Sequence, residues 1–158
     1  MAVPSASPLF LREPEIRRGI ELLYFGYINF TATADETLAK QGLGRAHHRA
    51  LYFIAHHPEM PVGDLLKLLR ITKQSLGRVL GDLSERGYLE TLPGLRDRRQ
   101  RLLRLTQAGI ALEAELFEII RAKMAEAYAE AGQGSVTGFW RVLEGLIPSD
   151  QRLRIPNR

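Results

Sequence analysis

The sequence contains no cysteine, and this absence excludes several kinds of protein at once. A disulfide scaffold, a thiol nucleophile, a cysteine-based zinc site and a cysteine redox sensor all need residues that are missing here. No apolar run approaches the roughly 18 residues of a membrane span, and the first residues lack the basic and apolar regions of a secretory signal. We therefore expect a cytoplasmic protein with no membrane partner.

The sequence also lacks the short motifs of common enzyme classes. It has no phosphate-binding glycine-rich loop in the right context, no Gly-x-Ser-x-Gly elbow and no His-Glu-x-x-His helix. Its four histidines, His47, His48, His56 and His57, do not have the i, i+4 spacing of a metal-binding pair. We predict no enzymatic activity, no cofactor and no metal, and we expect these histidines on the surface, between helices, lining a pocket or titrating near neutrality.

What the chain does contain is enough apolar sequence for one folded domain. It has 158 residues, of which 45% are hydrophobic, and a chain of this length buries roughly 70% of its unfolded surface. We predict a single domain over residues 1–158. Its first dozen residues, with Pro4 and Pro8, are expected to form a mobile arm.

The charge of the chain is concentrated in its centre. The net charge is +4, but the segment from Lys67 to Thr106 has ten basic and four acidic residues, hence +6, which leaves −2 for the rest. A basic centre between neutral or acidic ends indicates a local surface that binds a polyanion.

The apolar spacing predicts helices at both ends of the chain. Apolar residues three and four apart from Ile16 to Ala34 indicate a first helix over about residues 14–35. Two further helices, one long and one ending at Pro148, are predicted over about residues 107–147. These outer helices have apolar stripes and no large core to cover them, so we expect them to pack against each other and against a second copy.

The centre of the chain, about residues 45–106, has a different pattern. Short helices are predicted from Arg45 to His57, from Pro61 onward, and between an N-cap at Thr72 and a stop at Gly87. A two-stranded hairpin follows, with a basic turn between its strands. The predicted fold class is therefore mainly α with a small β hairpin, a winged helix-turn-helix flanked by N- and C-terminal dimerisation helices.

The last short helix of this module has one face that packs and one that is free. Leu76, Val79, Leu80 and Leu83 share the apolar face, and Gln74, Arg78 and Gly81 lie nearly opposite. Arginine and glutamine are the usual bidentate readers of guanine and adenine, and a helix start with hydroxyls and a lysine suits phosphate. The predicted DNA contacts of this helix are Thr72, Lys73, Gln74, Ser75 and Arg78. Taken alone, the same face also fits an ordinary solvated helix surface.

The hairpin turn carries a dense group of basic side chains. Five arginines stand within nine residues, with one aspartate among them, so they repel one another unless an anion compensates. Arginine at a loop tip can enter a narrow minor groove, and the aspartate can hold a neighbouring guanidinium. The predicted contacts here are Arg96, Asp97, Arg98, Arg99 and Arg101. An ordinary soluble turn is the alternative.

The residues of this module resemble the recognition helix and wing of the MarR family of bacterial transcriptional regulators. The matching segments are residues 71–80 (ITKQSLGRVL), 83–89 (LSERGYL), 97–99 (DRR) and 103–109 (LRLTQAG), and the element order from about residue 14 to 147 is similar. The resemblance implies a triangular homodimer on a pseudo-palindromic operator, often near its own gene. It also implies that Gln74 and Arg78 face the major groove, that Arg98 and Arg99 reach the minor groove, and that Asp97 orients Arg99.

Many members of this family lose DNA affinity when a small anionic or aromatic molecule binds between the dimer helices and the winged module. We expect such an effector pocket where aromatic walls surround one cation. Its predicted lining is Tyr24, Tyr27, Phe30, His48, Arg49 and Tyr52. In the alternative, the aromatics form dimer core and Arg49 is an ion-pair partner. The absence of cysteine rules out the thiol-based peroxide sensing of one branch of the family.

Together these features predict a sequence-specific DNA-binding regulator. We expect a homodimeric repressor that binds double-stranded DNA, is relieved by an effector, and reads two half-sites about 10 base pairs apart. The alternative is a winged-helix module that docks a protein partner and has no operator of its own.

Overall fold

A computed structural model of the chain describes residues 7–152. The helices are α1 Glu13–Ala32, α2 Asp35–Lys40, α3 Arg45–His56, α4 Val62–Leu69, α5 Lys73–Glu85, α6 Gln107–Ala131, α7 Gln133–Leu146 and α8 Ser149–Arg152. The strands are β1 Met60–Pro61, β2 Leu89–Pro93 and β3 Arg101–Leu105. The chain divides into two compact units, one up to Ile120 and one from Arg121 onward. The prediction of a single domain stays a prediction.

The N-terminal region contains two helices where the sequence predicted one. Helix α1 ends at Ala32, short of the predicted residue 35, and α2 begins three residues later. Thr31 and Thr33 turn their hydroxyls back onto the carbonyls of Tyr27 and Phe30, at 2.9 and 2.7 Å. Such back-bonding competes with the helical hydrogen bonds and weakens the end of a helix. The apolar period continues through this break to the buried Ala34, which is why the sequence pattern misses it.

The predicted mobile arm is partly ordered. Residues Pro8–Leu11 form a short 3-10 helix, and the hydroxyl of Ser7 accepts the N–H of Leu9 at its start. The remainder of that predicted arm, residues 1–6, lies outside the described residues.

The winged module is built around α3, α4 and α5 and one small sheet. Thr72 caps α5 by accepting the N–H of Ser75, and Gly87, at φ +76°, ends it with the N–H of Tyr88 on the carbonyl of Leu83. These are the cap and stop that the sequence predicts for this helix. Helix α4 begins at Val62, one residue after the predicted start, because Pro61 is its N-cap.

The sheet has three antiparallel strands, in the order β1-β3-β2. The sheet has one strand more than the predicted hairpin, because Met60 and Pro61 pair with Leu103 and Leu102 on the edge of β3 opposite β2. Two residues, one of them proline, are too short to show an alternating pattern. The predicted hairpin itself, β2 with β3, is confirmed, with Pro93 opposite Arg101 next to the turn.

Helix α6 starts against the hairpin and continues into the second unit. Thr106 caps it by accepting the N–H of Gly109, and the Thr106 hydroxyl donates to the carbonyl of Gly87. A side chain at Gly109 would collide with the backbone carbonyl of Tyr88, so this close approach of helix to strand requires glycine. Leu112 and Leu116 are buried in the same unit, and this anchors the first half of α6 to the core.

The buried hydrophobic residues of the described chain run from Ala34 to Leu116. Neither α1 nor α7 contains a buried residue. In the second unit, Tyr128 accepts a hydrogen bond from the Trp140 indole at 2.9 Å and packs edge-on against Phe139. Between residues 7 and 152, none of the helices combines the length and the apolar character needed to span a bilayer.

Candidate nucleic-acid interface

Helix α5 presents the two faces that the sequence predicts. Its apolar residues, Leu76, Val79, Leu80 and Leu83, are all buried. Gln74 and Arg78, one turn apart on the opposite side, are exposed, as are Lys73 and Ser75 at the start of the helix. The packed face fixes the helix on the module, and the other face is left available to a partner.

The wing between β2 and β3 is a defined turn. The N–H of Gly94 donates to the carbonyl of Gln100 at 2.8 Å, and the N–H of Gln100 donates to the carbonyl of Asp97 at 3.0 Å. Gly94 is buried against that same Asp97 carbonyl, where a side chain would not fit. Residues 95–99 are thereby held out from the sheet as an exposed tip.

Asp97 organises this tip through the backbone. Its carboxylate accepts the N–H of Arg99 at 2.9 Å. Among residues 7–152 no guanidinium forms an ion pair with this carboxylate, which differs from the expectation that Asp97 holds a neighbouring arginine side chain. Asp97 therefore shapes the turn and leaves the arginine side chains around it available.

The arginines of the hairpin fall into two groups. Arg104 forms an ion pair with Glu90 at 2.7 Å and lies 3.9 Å from Glu59, so its charge is compensated within the sheet. Four others are exposed and make no ion pair with any residue that the structure describes: Arg96, Arg98, Arg99 and Arg101. From the sequence all five arginines look equivalent, but within the described residues only these four have a positive charge that no ion pair compensates.

The C-terminal half of α5 is tied to the loop between α2 and α3. His47 in α3 lies 2.8 Å from the carboxylate of Asp82, and its other ring nitrogen accepts the N–H of Gly44 at 3.0 Å. Arg86 donates to the carbonyls of Gln41 at 2.9 Å and Gly42 at 3.3 Å. The sequence does not reveal the contacts between α5 and this loop region, because they join residues 35 or more positions apart and no local pattern links them.

The predicted effector residues lie on α1 and α3. Tyr24 and Tyr27 are exposed on α1, Arg49 is exposed on α3, and the remaining three are half-buried, namely Phe30, His48 and Tyr52. Tyr52 packs on the ring of His56 at 4.5 Å between centroids. The effector pocket stays a prediction.

Charged groups meet at the junction of α2 and α3, close to this predicted pocket. Asp35 accepts two hydrogen bonds from the Arg45 guanidinium, at 2.8 and 3.0 Å, and these lower the pKa of Asp35. Burial lowers the pKa of His48, an effect that the nearby Asp35 carboxylate partly opposes. Burial therefore favours the neutral form of the His48 ring.

A second histidine faces helix α6. His56 Nε2 lies 3.8 Å from the Glu113 carboxylate, whose side chain is only 12% exposed. Burial raises the pKa of Glu113, and the neighbouring His56 partly offsets this. Across residues 7–152, histidine, aspartate and glutamate nowhere gather in a group of three that could hold a metal ion.

Comparison with known proteins identifies the family of this chain. Residues 41–100, which contain α3 to α5 and most of the wing, match the family model described as MarR family. The chain is also similar to the HTH-type transcriptional regulator PetP of Rhodobacter capsulatus, with 45% identity over 144 residues that cover 91% of this chain and 87% of PetP. The chain belongs to the MarR family of transcriptional regulators.

Solved structures of MarR-family proteins share the fold. A mutant E. coli MarR complexed with operator DNA aligns with a TM-score of 0.69 and 23% identity, over 90% of this chain and 100% of that one. The PcaV regulator of Streptomyces coelicolor in complex with its natural ligand aligns with a TM-score of 0.61 and 16% identity, over 92% and 96% of the two chains. The predicted winged-helix architecture is confirmed.

Proposed function

We propose that this MarR-family regulator is a homodimeric repressor that binds a pseudo-palindromic operator and is released from it by a small anionic or aromatic effector. The observation that carries the DNA-binding part is the free face of α5 next to an uncompensated basic wing. Gln74 and Arg78 are exposed along one side of a packed helix, and four wing arginines lack internal ion-pair partners in the described chain. A relative of the same fold is complexed with operator DNA, and this supports the proposal.

In this proposal the two parts of the surface have different tasks. Arg78 and Gln74 enter the major groove and discriminate bases through bidentate hydrogen bonds. The wing arginines, with Thr72, Lys73 and Ser75 at the helix start, neutralise phosphates or enter the minor groove and supply affinity that does not depend on sequence. Because the partner is chromosomal DNA, we expect the protein to act in the cytoplasm.

The exposed apolar surface of α1 and α7 supports the proposed homodimer. Helix α1 exposes large apolar residues along its length, and α7 exposes Phe139, Trp140, Val142 and Leu146. Soluble monomers rarely leave such surfaces exposed to water, and a two-fold symmetric dimer would place the two copies of α5 side by side.

The effector is proposed to bind among the six predicted side chains of α1 and α3 and to favour a dimer geometry that no longer matches the operator. The PcaV regulator, which shares this fold, is in complex with its natural ligand, and this supports the existence of an effector.

The test compares one base-reading and one phosphate-contacting arginine. The operator is first recovered by selecting genomic fragments with the wild-type protein at about 150 mM salt, since affinities depend steeply on salt. Arg78→Ala is expected to lose about 1–3 kcal/mol of operator binding and to relax sequence preference. Arg98→Ala is expected to weaken binding to all duplexes and to reduce the salt slope by about 1.

The outcome also decides between this proposal and a protein-interaction module. Equal, sequence-independent losses from both substitutions, or uniform weak recovery of all fragments by the wild type, would contradict operator recognition. In that case the winged module, with its basic surface, is better explained as a docking site for an acidic protein.

A further inference from the structure

His47 is a histidine whose two ring nitrogens are both engaged. Nδ1 lies 3.0 Å from the backbone nitrogen of Gly44, which can only donate, so Nδ1 accepts and carries no proton. The proton of the neutral ring is then on Nε2, which donates to Oδ2 of Asp82 at 2.8 Å. The His47 side chain is 15% exposed and the Asp82 side chain 42%, so water reaches the carboxylate more readily than the ring.

Asp82 lies on the side of α5 that we assign to base reading. It follows Gln74 and Arg78 at four-residue intervals, so each of the three is about 40° further around the helix than the one before. His47 therefore contacts the C-terminal member of the row of side chains on α5 that begins with Gln74 and Arg78, the residues that we assign to DNA.

The two faces of α5 constrain the helix in different ways. The buried leucines and valine hold it against the module, but apolar packing is non-directional and permits a small rotation about the helix axis. Hydrogen bonds have strict preferences for distance and angle. The bond from His47 to Asp82, with the bonds from Arg86 to the loop carbonyls, therefore adds a directional constraint on the rotation of α5 to the one that packing imposes.

We propose that His47 is a positioning residue for operator recognition, which sets the rotation of α5 through Asp82 and so aims Gln74 and Arg78 at the bases. This inference rests on the proposed DNA-binding function. His47 touches no base in this scheme. Its effect reaches DNA through the geometry of α5, because bidentate base contacts require placement within about 0.5 Å.

A double-mutant cycle tests the link between the two residues. The measured quantity is the ratio of affinities for the selected operator and for a scrambled duplex, because removing the Asp82 charge changes attraction to all DNA. His47→Ala and Asp82→Ala are each expected to lower this ratio about tenfold, and the double variant is expected to lower it no further. Additive losses, or a wild-type ratio in His47→Ala, would overturn the inference.

Two conservative variants separate positioning from simple capping of α3. Glutamine at position 47 retains a donor toward Asp82, whereas asparagine retains an acceptor toward Gly44. We expect His47→Gln to keep most of the ratio and His47→Asn to lose it, and the reverse order would mean that His47 only caps its helix. His57→Gln is the matched control, since His57 is exposed at the end of α3.

The same experiment keeps the inference distinct from the function on which it rests. Wild-type protein that shows no preference for any duplex contradicts the proposed function, and the inference with it. Wild-type preference that survives intact in all the His47 variants contradicts the inference alone. Thermal unfolding of each variant identifies any that fail to fold, and the glutamine and asparagine pair then decides the result.

Discussion

The winged module and the helices α1 and α7 all contain many apolar residues, but the module buries them and the two helices leave them exposed. The buried hydrophobic residues all lie between Ala34 and Leu116, in the module and the elements next to it. Helices α1 and α7 bury none of their residues. On α1 the large exposed apolar side chains are Ile16, Ile20, Leu22, Leu23, Tyr24, Phe25 and Tyr27.

This contrast separates a region that buries its apolar side chains within the chain from helices that leave theirs exposed. The module satisfies its core, its caps and its sheet with its own residues. Helices α1 and α7 leave an apolar surface exposed, and this is the surface that we propose a second copy covers. The predicted stability of a variant therefore depends on which region it alters.

The largest expected effect comes from the core of the module. Leu83 is 0% exposed, and Leu83→Ala should lower the free energy of unfolding by about 2–5 kcal/mol, through lost burial and the cavity it leaves. Leu95, at the wing tip, is 96% exposed, so Leu95→Ala should change the free energy of unfolding by less than about 0.5 kcal/mol. Urea unfolding followed by circular dichroism measures both changes in unfolding free energy. Similar losses at the two leucines would contradict the assignment of the stability to the buried core.

A smaller effect is expected when a charge is placed on an outer helix. Ile20 is 62% exposed in the single chain and lies on the α1 stripe. In a dimer that covers this stripe, Ile20→Lys should raise the dissociation constant at least about tenfold, or 1.4 kcal/mol, because it buries an unpaired charge. Sedimentation over a range of protein concentrations measures this.

A neighbouring residue provides the control for that variant. Glu21→Lys adds the same side chain next to it on α1, at an exposed position that belongs to the polar side of the sequence pattern. If both variants remain dimers, or if the wild type is a monomer at every concentration, then α1 is not the dimer surface.

Local sequence pattern predicts most of the helices and strands of the module but few of the long-range contacts between them. Thr72, Gly87 and the apolar period of α5 are signals within 15 residues, and the helix forms where they indicate. The break after Ala32 was missed because the apolar period continues through it, while its cause lies in two threonine hydroxyls. Strand β1 was missed because its two residues become a strand only through pairing with β3.

The same limit applies to the candidate interface. The exposure of Gln74 and Arg78 follows from helical period, so it was predictable. The cross-strand register decides which arginines are compensated. It places Glu90 opposite Arg104, where the two form an ion pair, and among the described residues it places no such partner opposite the arginines of the wing tip. The tie between His47 and Asp82 joins residues 35 positions apart, and charge patterning along the chain carries no trace of it.

The smallest expected effect is on α6, the helix that leaves the core. Burial raises the pKa of Glu113, so the folded chain holds this proton at a pH where the unfolded chain has lost it. Stability from this group therefore falls as pH rises from the ordinary carboxyl pKa through the raised one, since ionising the folded carboxyl costs desolvation. Glu113→Gln removes that cost, so it should raise the unfolding free energy at pH 7 and have less effect at pH 4.

Urea unfolding at both pH values measures this change in unfolding free energy, and Glu115→Gln, at an exposed position of the same helix, is the control. An equal gain at both pH values would mean that improved packing, and not the loss of a buried charge, is responsible.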